Sequence, residues 1–141
     1  MKKYILLSLM AILAVACTNN EQAKQTLIGK WKYDTAAILE EIRNREGVTN
    51  QEIMMIEGTM ALYATAVFEF QEDGTLQFEA NGAKQMGTWE LSGNAQTLYL
   101  NLSGENQPNE VAELTEQRVV LPYSPEQGIM YTRILIPVAE E

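Results

Sequence analysis

Three residues near the end of the sequence have side chains suited to binding an anion. Tyr131 and Arg133 are two positions apart, so on a strand they face the same side, and Arg118 belongs to the strand before. A partly buried guanidinium presents forked donors that match the two oxygens of a carboxylate. A carboxylate site built from Arg118, Tyr131 and Arg133 is therefore one interpretation of this cluster. Alternatively, Glu116 neutralises Arg118, and the cluster is an ion pair at one end of the fold.

Other reactive groups are scarce in this sequence. A glycosidase needs a pair of carboxylates beside a cleft, and the candidates here are Glu69, Glu79 and Glu90. Each of them alternates with an aromatic residue and is predicted to face solvent. The chain has no histidine, which excludes histidine-based triads and proton shuttles. Its single cysteine, Cys17, leaves zinc and most transition metals without their usual ligands. We therefore expect a protein that is not an enzyme, with no catalytic residues, no cofactor and no metal.

The cysteine follows an apolar run near the start of the chain. After Lys2 and Lys3, the largely apolar run Ile5–Ala16 spans 12 residues. It has the length of a secretory signal and is too short for a spanning helix, which needs about 20 residues. Ala14 to Cys17 resembles the lipobox of bacterial lipoproteins, with Ala14 in place of the usual Leu. The resemblance implies that the chain is cut before Cys17 and that its thiol is acylated; an ordinary secretory signal with an incidental cysteine is the alternative.

The lipobox resemblance also implies how the chain is divided and where it is located. Residues 1–16 would be the lipoprotein signal peptide, residues 17–25 the lipidated cysteine with a flexible tether, and residues 26–141 one folded domain. Acyl chains such as palmitate would hold the protein on the membrane. Thr18 stands where an Asp would resemble an inner-membrane retention signal. We therefore expect a cell-envelope protein on the outer membrane, facing the periplasm or the cell surface.

Length and charge limit the partners of this domain. Removal of the signal leaves about 125 residues, enough for one domain with a real core. The formal net charge is −9 and becomes about −11 without Lys2 and Lys3. So acidic a protein is not attracted to nucleic acid or to anionic lipid surfaces. We expect no nucleic-acid partner, and membrane contact only through the lipid anchor.

The elements that must position the candidate residues are mainly strands. Leu27–Tyr33 reads as a first strand and is followed by two helical segments. The first is 36–46, capped by Asp34 or Thr35, and the second opens with the capping box Thr49 to Glu52.

After the helices, the apolar residues recur with period two from Val67 onward. Asp-Gly and Asn-Gly pairs separate the first runs, which is typical of hairpins. Residues 103–109 are predicted as a polar loop, and 110–121 and 128–138 as the last two strands. The whole pattern predicts about seven strands in an antiparallel meander, with a helix-turn-helix inserted after the first.

Several motifs resemble the lipocalin and fatty-acid-binding-protein superfamily. Gly29-Lys30-Trp31 resembles the Gly-x-Trp signature of lipocalins, and the helical pair looks like that of fatty-acid-binding proteins. The segment 68–91, with a Phe-x-Phe strand, an Asp-Gly turn and a Gly-Thr-Trp strand in that order, is similar to lipocalin-like domains of Bacteroidetes lipoproteins. The resemblance implies a mainly β fold, a meander curled into a barrel or half-barrel. It also implies that Trp31 closes the base of the barrel, with Arg133 lying on its ring.

The same resemblance implies a function. Fatty-acid-binding proteins hold a ligand carboxylate with arginine and tyrosine side chains, the role expected here for Arg118, Tyr131 and Arg133. The inward aromatic residues would either line a cavity or fill the interior; they are Phe68, Phe70, Phe78 and Trp89. We expect a non-enzymatic binding module for a small apolar or anionic ligand. The alternative is a filled-core interaction domain that binds a protein partner in the cell envelope.

Overall fold

The computed structural model describes residues 20–139, so Cys17 and the lipobox-like segment lie outside the described residues. This range contains three α-helices, a short 3-10 helix and nine strands. The helices are α1 (20–27), α2 (Thr35–Asn44) and α3 (Asn50–Leu62), with the 3-10 helix at Pro125–Gln127. The strands are β1 (Gly29–Tyr33), β2 (Val67–Phe70), β3 (Thr75–Ala80), β4 (Ala83–Leu91), β5 (Thr97–Asn101), β6 (Gln107–Glu110), β7 (Glu113–Leu114), β8 (Val119–Leu121) and β9 (Arg133–Pro137).

All nine strands belong to one antiparallel sheet that curls into a half-barrel. Their order is β6-β5-β4-β3-β2-β1-β9-β8-β7, so the first strand joins the meander to the last hairpin. In β1, Trp31 pairs with Phe68 on one side and with Pro137 on the other. The predicted antiparallel half-barrel is confirmed, and so is the helical pair after the first strand.

The strand count differs from the predicted seven because of the segment 107–121. It was predicted as a loop followed by one long strand, but it folds as β6, β7 and β8. Thr115 makes a tight turn between β7 and β8, where its backbone N–H donates to Arg118 O over 2.9 Å and its hydroxyl accepts from the Arg118 N–H. Pro108 sits in β6, an edge strand, where a missing N–H costs no ladder hydrogen bond.

The two ends of the sheet meet at one corner, between β6 and β7. The Val111 N–H donates to Gln96 O at the start of β5, and the N–H of the next residue, Ala112, donates to Val120 O of β8, both over 2.9 Å. Beyond this corner β6 follows β5 while β7 follows β8. The two edges therefore join at one point only, and the half-barrel has an open side.

The base of the half-barrel is closed by α1. Leu27 is fully buried there, and Ala23, one helical turn earlier, packs against the same core. The Trp31 indole N–H donates to Leu27 O over 2.8 Å, and the Asn20 side-chain amide donates to Ser92 O over 2.6 Å. Residues 20–25 were predicted as a flexible tether. That prediction is wrong for these residues, because the Ala23 and Leu27 stripe draws them into a packed helix.

The helices α2 and α3 pack on each other and on β9. Ile38 and Ile42 of α2 and Ile56 of α3 are buried together with Ile134. Ile134 alternates with Arg133 and Leu135 along β9, so it faces the helices while its two neighbours face the concave side of the sheet.

The capping box predicted for α3 is present. Thr49 Oγ1 accepts from the Glu52 N–H over 3.2 Å, and a Glu52 carboxylate oxygen accepts from the Thr49 N–H over 2.7 Å.

The sheet leaves no room for a side chain at Gly87. A Cβ at this position would lie 1.9 Å from Asn101 O on the neighbouring strand. We expect Gly87→Ala to lower the free energy of unfolding by at least about 2 kcal/mol, because the clash is with backbone. Gly93→Ala is the matched control, since a Cβ there meets nothing within 4 Å. Urea unfolding of both variants checks this, and equal stabilities would contradict it.

The Thr49 cap gives a second prediction. Thr49→Ala should lower the free energy of unfolding by about 1 kcal/mol near neutral pH, whereas Thr49→Ser should retain the cap. Hydrogen bonds from the backbone and side chain of Thr49 lower the pKa of Glu52 from its ordinary 4.5. Ionised Glu52 therefore stabilises the folded state fully above pH 4.5, its ordinary pKa. This stabilisation is lost as the pH falls through the lower pKa that Glu52 has in the folded state. Urea unfolding of the Thr49→Ala and wild-type proteins as the pH is lowered should show their difference shrinking; a difference that grows would contradict this.

Candidate functional site

The concave side of the half-barrel encloses a cavity of about 850 Å³. Pockets for small ligands are typically about 300–1,000 Å³. Its walls come from the strands, from one face of α3, and from the loops 102–106 and 127–130 on the two sides of the open gap. Most of the wall is apolar; the contributing strand residues include Phe68, Phe70, Phe78, Leu100, Leu121 and Leu135.

One wall is a connected group of aromatic rings. The Tyr33 and Phe68 ring centroids are 5.3 Å apart with an edge-on angle, and Phe68 and Phe78 are 4.8 Å apart. Tyr63, the C-cap residue of α3, continues the group at 6.0 Å from Phe78. Edge contacts of this kind add about 0.5–1.5 kcal/mol per pair beyond the area they bury. The rings therefore hold the end of α3 in place against the cavity.

The polar centre of the cavity is Arg133. Its side chain reaches from β9 across the gap, where Nη2 donates to Asn109 Oδ1 on β6 over 2.6 Å. Its Nε is buried and has no hydrogen-bond partner. No aspartate or glutamate within residues 20–139 forms an ion pair with it. Burial lowers the pKa of Arg133, but a guanidinium keeps its charge in a protein. The cavity wall thus holds a largely buried positive charge without a counter-charge among the described residues.

Two tyrosines beside Arg133 do not neutralise it. Burial raises the pKa of Tyr33 far above its ordinary value, and the neighbouring Tyr131 hydroxyl raises it further. Burial also raises the pKa of Tyr131, although the positive charge of Arg133 acts in the opposite direction. Both phenols therefore stay protonated at physiological pH. They add polar hydroxyl groups to the cavity and no negative charge.

Asn109 fixes the position of the Arg133 guanidinium. The residue is 2% exposed, and its Nδ2 donates to both Leu98 O and Gln107 O over 3.1 Å. With both amide hydrogens used, Oδ1 is the atom left to face Arg133. Asn109 falls within the segment that was predicted to be a polar loop, and it was not predicted as a site residue. Its only signal is a single asparagine beside a proline, which is ordinary in loops.

The structure brings five of the predicted ligand-binding residues to the cavity, namely Phe68, Phe70, Phe78, Tyr131 and Arg133. It corrects the other two. Arg118 lies on the turn between β7 and β8, is about half exposed, and pairs with Glu113 instead of Glu116. Trp89 packs edge-on against Phe70 at the base, and its indole N–H donates to Gln71 O over 2.9 Å.

The predicted stacking of Arg133 on the Trp31 ring is also wrong. Trp31 pairs with Pro137, four residues further along β9 than Arg133. Trp31 is therefore buried at the base, whereas Arg133 lies in the cavity near its open side. The cation–π contact found among the described residues is that of Arg45 over the Tyr123 ring, at 3.4 Å from the centroid. Gly29, the other signature residue, has φ of +134° where β1 begins opposite Phe70.

The outer face of α3, beside the cavity, carries exposed apolar residues, of which Met55 also lines the cavity. Met54, Met55 and Leu62 are 70%, 58% and 57% exposed, respectively. Arg45, at the end of α2, pairs with Glu41 over 2.7 Å and covers the Tyr123 ring. This contact ties α2, the helix packed against α3, to the loop after β8.

Two classes of site are not found in the described part of the chain. Residues 20–139 contain no group of three or more side chains of the metal-ligating types His, Cys, Asp and Glu placed to hold a metal ion. In the same range, no helix combines the length and apolar character needed to span a membrane.

The fold is similar to that of a protein of known structure. No protein-family model matches the sequence, and no curated protein matches it. The structure is similar to the crystal structure of a DUF4847 family protein from Bacteroides vulgatus ATCC 8482, with a TM-score of 0.50. The two sequences are 12% identical, and the match covers 82% of this chain and 96% of that chain. At this identity the similarity supports the half-barrel fold and assigns neither a lipocalin nor a lipoprotein family.

Proposed function

We propose that the protein is a non-enzymatic binding module that takes a small, largely apolar carboxylate ligand into the half-barrel cavity. The observation that carries this proposal is Arg133. Its charge lies in the wall of an 850 Å³ apolar cavity, its Nε has no partner, and the neutral Asn109 is its hydrogen-bond partner.

The energetics favour an anionic group at this position. A buried charge without a partner costs several kcal/mol, and a carboxylate in contact offsets that cost with opposite charge and several acceptor lone pairs. Hydrogen bonds between charged groups are about twice as strong as neutral ones. The remaining wall removes apolar ligand surface from water at about 25 cal/mol per Å². An amphipathic acid uses both parts of the cavity, whereas a purely polar anion uses only one.

The overall acidity of the protein does not oppose this assignment. The net charge of −9 acts on an approaching anion through solvent, where screening reduces it beyond about 8 Å at physiological salt. Arg133 acts at contact distance in a water-poor site, where charge interactions are several times stronger. Glu105 lines the mouth of the cavity and is exposed, so it slows association more than it weakens the bound state.

A fluorescent fatty acid tests the proposal. Dansyl-labelled undecanoic acid should bind to the wild-type protein, and its uncharged methyl ester should bind more weakly. Arg133→Met should weaken binding of the acid by roughly tenfold or more, because a charged hydrogen bond contributes about 1.5–3 kcal/mol. The ester should bind the variant about as well as it binds wild type.

Arg118→Met is the matched control for this experiment. It removes the same charge from an exposed residue outside the cavity, so it should leave both affinities nearly unchanged. Titrations followed by dansyl fluorescence give all the constants. Absence of binding by both acid and ester would refute the binding module, and equal loss in both arginine variants would refute the role of Arg133.

A protein partner is a second candidate, favoured by the exposed apolar residues Met54, Met55 and Leu62 on α3. Exposed apolar patches of this kind often mark interaction sites. The open cavity argues against the filled-core form of this alternative. A partner that binds α3 would lose affinity on Leu62→Lys, and that substitution would leave acid binding intact.

We also propose that a lipid attached to Cys17 holds this module on a membrane. Cys17 comes three residues before Asn20, which is bonded to the turn between β4 and β5 at the base of the half-barrel. The cavity mouth lies at the opposite ends of these strands, beside the loop after β5. An anchor at Cys17 therefore leaves the mouth facing away from the lipid surface.

Mass spectrometry tests the anchor. Protein extracted from membranes should begin at Cys17 and carry the added mass of acyl chains. A Cys17→Ala variant should lack the added acyl mass, because it has no thiol to acylate. An unmodified Cys17 in membrane-extracted protein would exclude the lipid anchor.

A further inference from the structure

We propose that Asn109 is a positioning residue that makes the cavity selective for singly charged carboxylates. It holds the Arg133 guanidinium with a neutral oxygen and so leaves the positive charge available to the ligand. This inference rests on the proposed function and adds the charge class of the ligand to it.

The orientation of the Asn109 amide is determined by its surroundings. Nδ2 lies 3.1 Å from both Leu98 O and Gln107 O, which are acceptors only. The flipped amide would place Oδ1 against these two carbonyl oxygens and Nδ2 against the donors of Arg133. Every contact would then be repulsive. The carbonyl oxygen of Asn109 therefore points at Arg133, and the guanidinium is held at 2.6 Å without being neutralised.

The charge balance of the cavity follows from this arrangement. Among the described lining residues the charged side chains are Arg133 and Glu105, and Glu105 is exposed at the mouth. The interior thus carries a single positive charge. One carboxylate balances it, whereas a doubly charged phosphate monoester leaves one negative charge unbalanced in an apolar cavity, which is costly. The geometry points to a monocarboxylic acid as the ligand.

Asn109→Asp tests the role of the neutral oxygen. An aspartate facing Arg133 forms an internal ion pair that competes with the ligand. We expect the affinity for dansyl-labelled undecanoic acid to fall at least tenfold, a loss of the order of one charged hydrogen bond. The affinity for its methyl ester should stay within about twofold, since the apolar wall is unchanged. The ratio of acid to ester affinity should therefore approach one.

Asn106→Asp is the charge control. Asn106 is exposed at the mouth, so an added negative charge there is screened and should change the acid affinity no more than about twofold. A comparable loss in both variants would mean that general repulsion, and not the position of Asn109, lowers the affinity. That result would overturn the proposal.

A second variant covers the case in which Asn109→Asp fails to fold, since it loses the two bonds to backbone carbonyls. Asn109→Ala releases the Arg133 side chain, and we expect it to lower the ratio of acid to ester affinity severalfold. If acid and ester affinities fall together in this variant, Asn109 has only a structural role and the proposal is wrong.

A competition assay tests the charge class directly. Decanoic acid should displace the dansyl probe from wild type at a concentration at least about tenfold lower than decyl phosphate at mildly alkaline pH, where the phosphate is doubly charged. Equal or better displacement by decyl phosphate would overturn the selectivity while leaving the binding module intact. Failure of the probe to bind wild type would instead refute the proposed function itself.

Discussion

The candidate site depends on a positive charge held across the open side of a curled sheet. The two ends of the sheet join only at Val111 and Ala112, and beyond that corner no ladder of backbone hydrogen bonds links β6 to β9 within residues 20–139. The contact between Arg133 and Asn109 crosses this gap. The acceptor, Asn109 Oδ1, is neutral, so the hydrogen bond spans the gap without neutralising the guanidinium. The same side chain thus links β9 to the edge strand β6 and creates the electrostatic centre of the cavity.

The cavity exists because the interior is filled unevenly. At the base, α1 supplies Leu27 and the large rings of Trp31 and Trp89 fill the space between the strands. Towards the gap, the Tyr33 ring contacts both Tyr63 and Phe68 along one wall, which leaves the centre empty. An eight-stranded barrel has an interior just wide enough for side chains. Because this sheet stays open on one side, its interior is wider at the open side than a closed barrel would be, and the aromatic side chains do not fill it.

Sequence patterns predicted the parts of the fold that local chemistry determines. The period-two runs and glycine turns placed β2 to β5, and the Thr49 capping box placed α3. The errors arose where distant contacts decide the outcome. Residues 20–25 are polar enough to read as a tether, and only the buried base makes Ala23 and Leu27 a packing stripe. Arg118 and Arg133 are both arginines in predicted strands. In the structure, Arg118 is on a turn and pairs with Glu113 of β7, whereas Arg133 reaches Asn109 across the gap. Asn109 carries no local signal, because its role depends on the register of β5 with β6.

Folding alone does not explain an arginine at position 133. Its neighbours on the same face, Leu121 and Leu135, are buried and apolar, and the two hydrophobic clusters within residues 20–139 contain no charged side chain. Replacing a buried charged group with an apolar side chain of similar size is often neutral or stabilising. A leucine or methionine would continue this face of β9 and leave no unpartnered Nε. A costly charged group that packing does not require, in the wall of a cavity of ligand size, is the feature on which the proposed binding function rests. Under the proposed function, an anion that binds to the folded state alone would offset the cost of Arg133, because it would raise the stability by RT ln(1 + [L]/Kd).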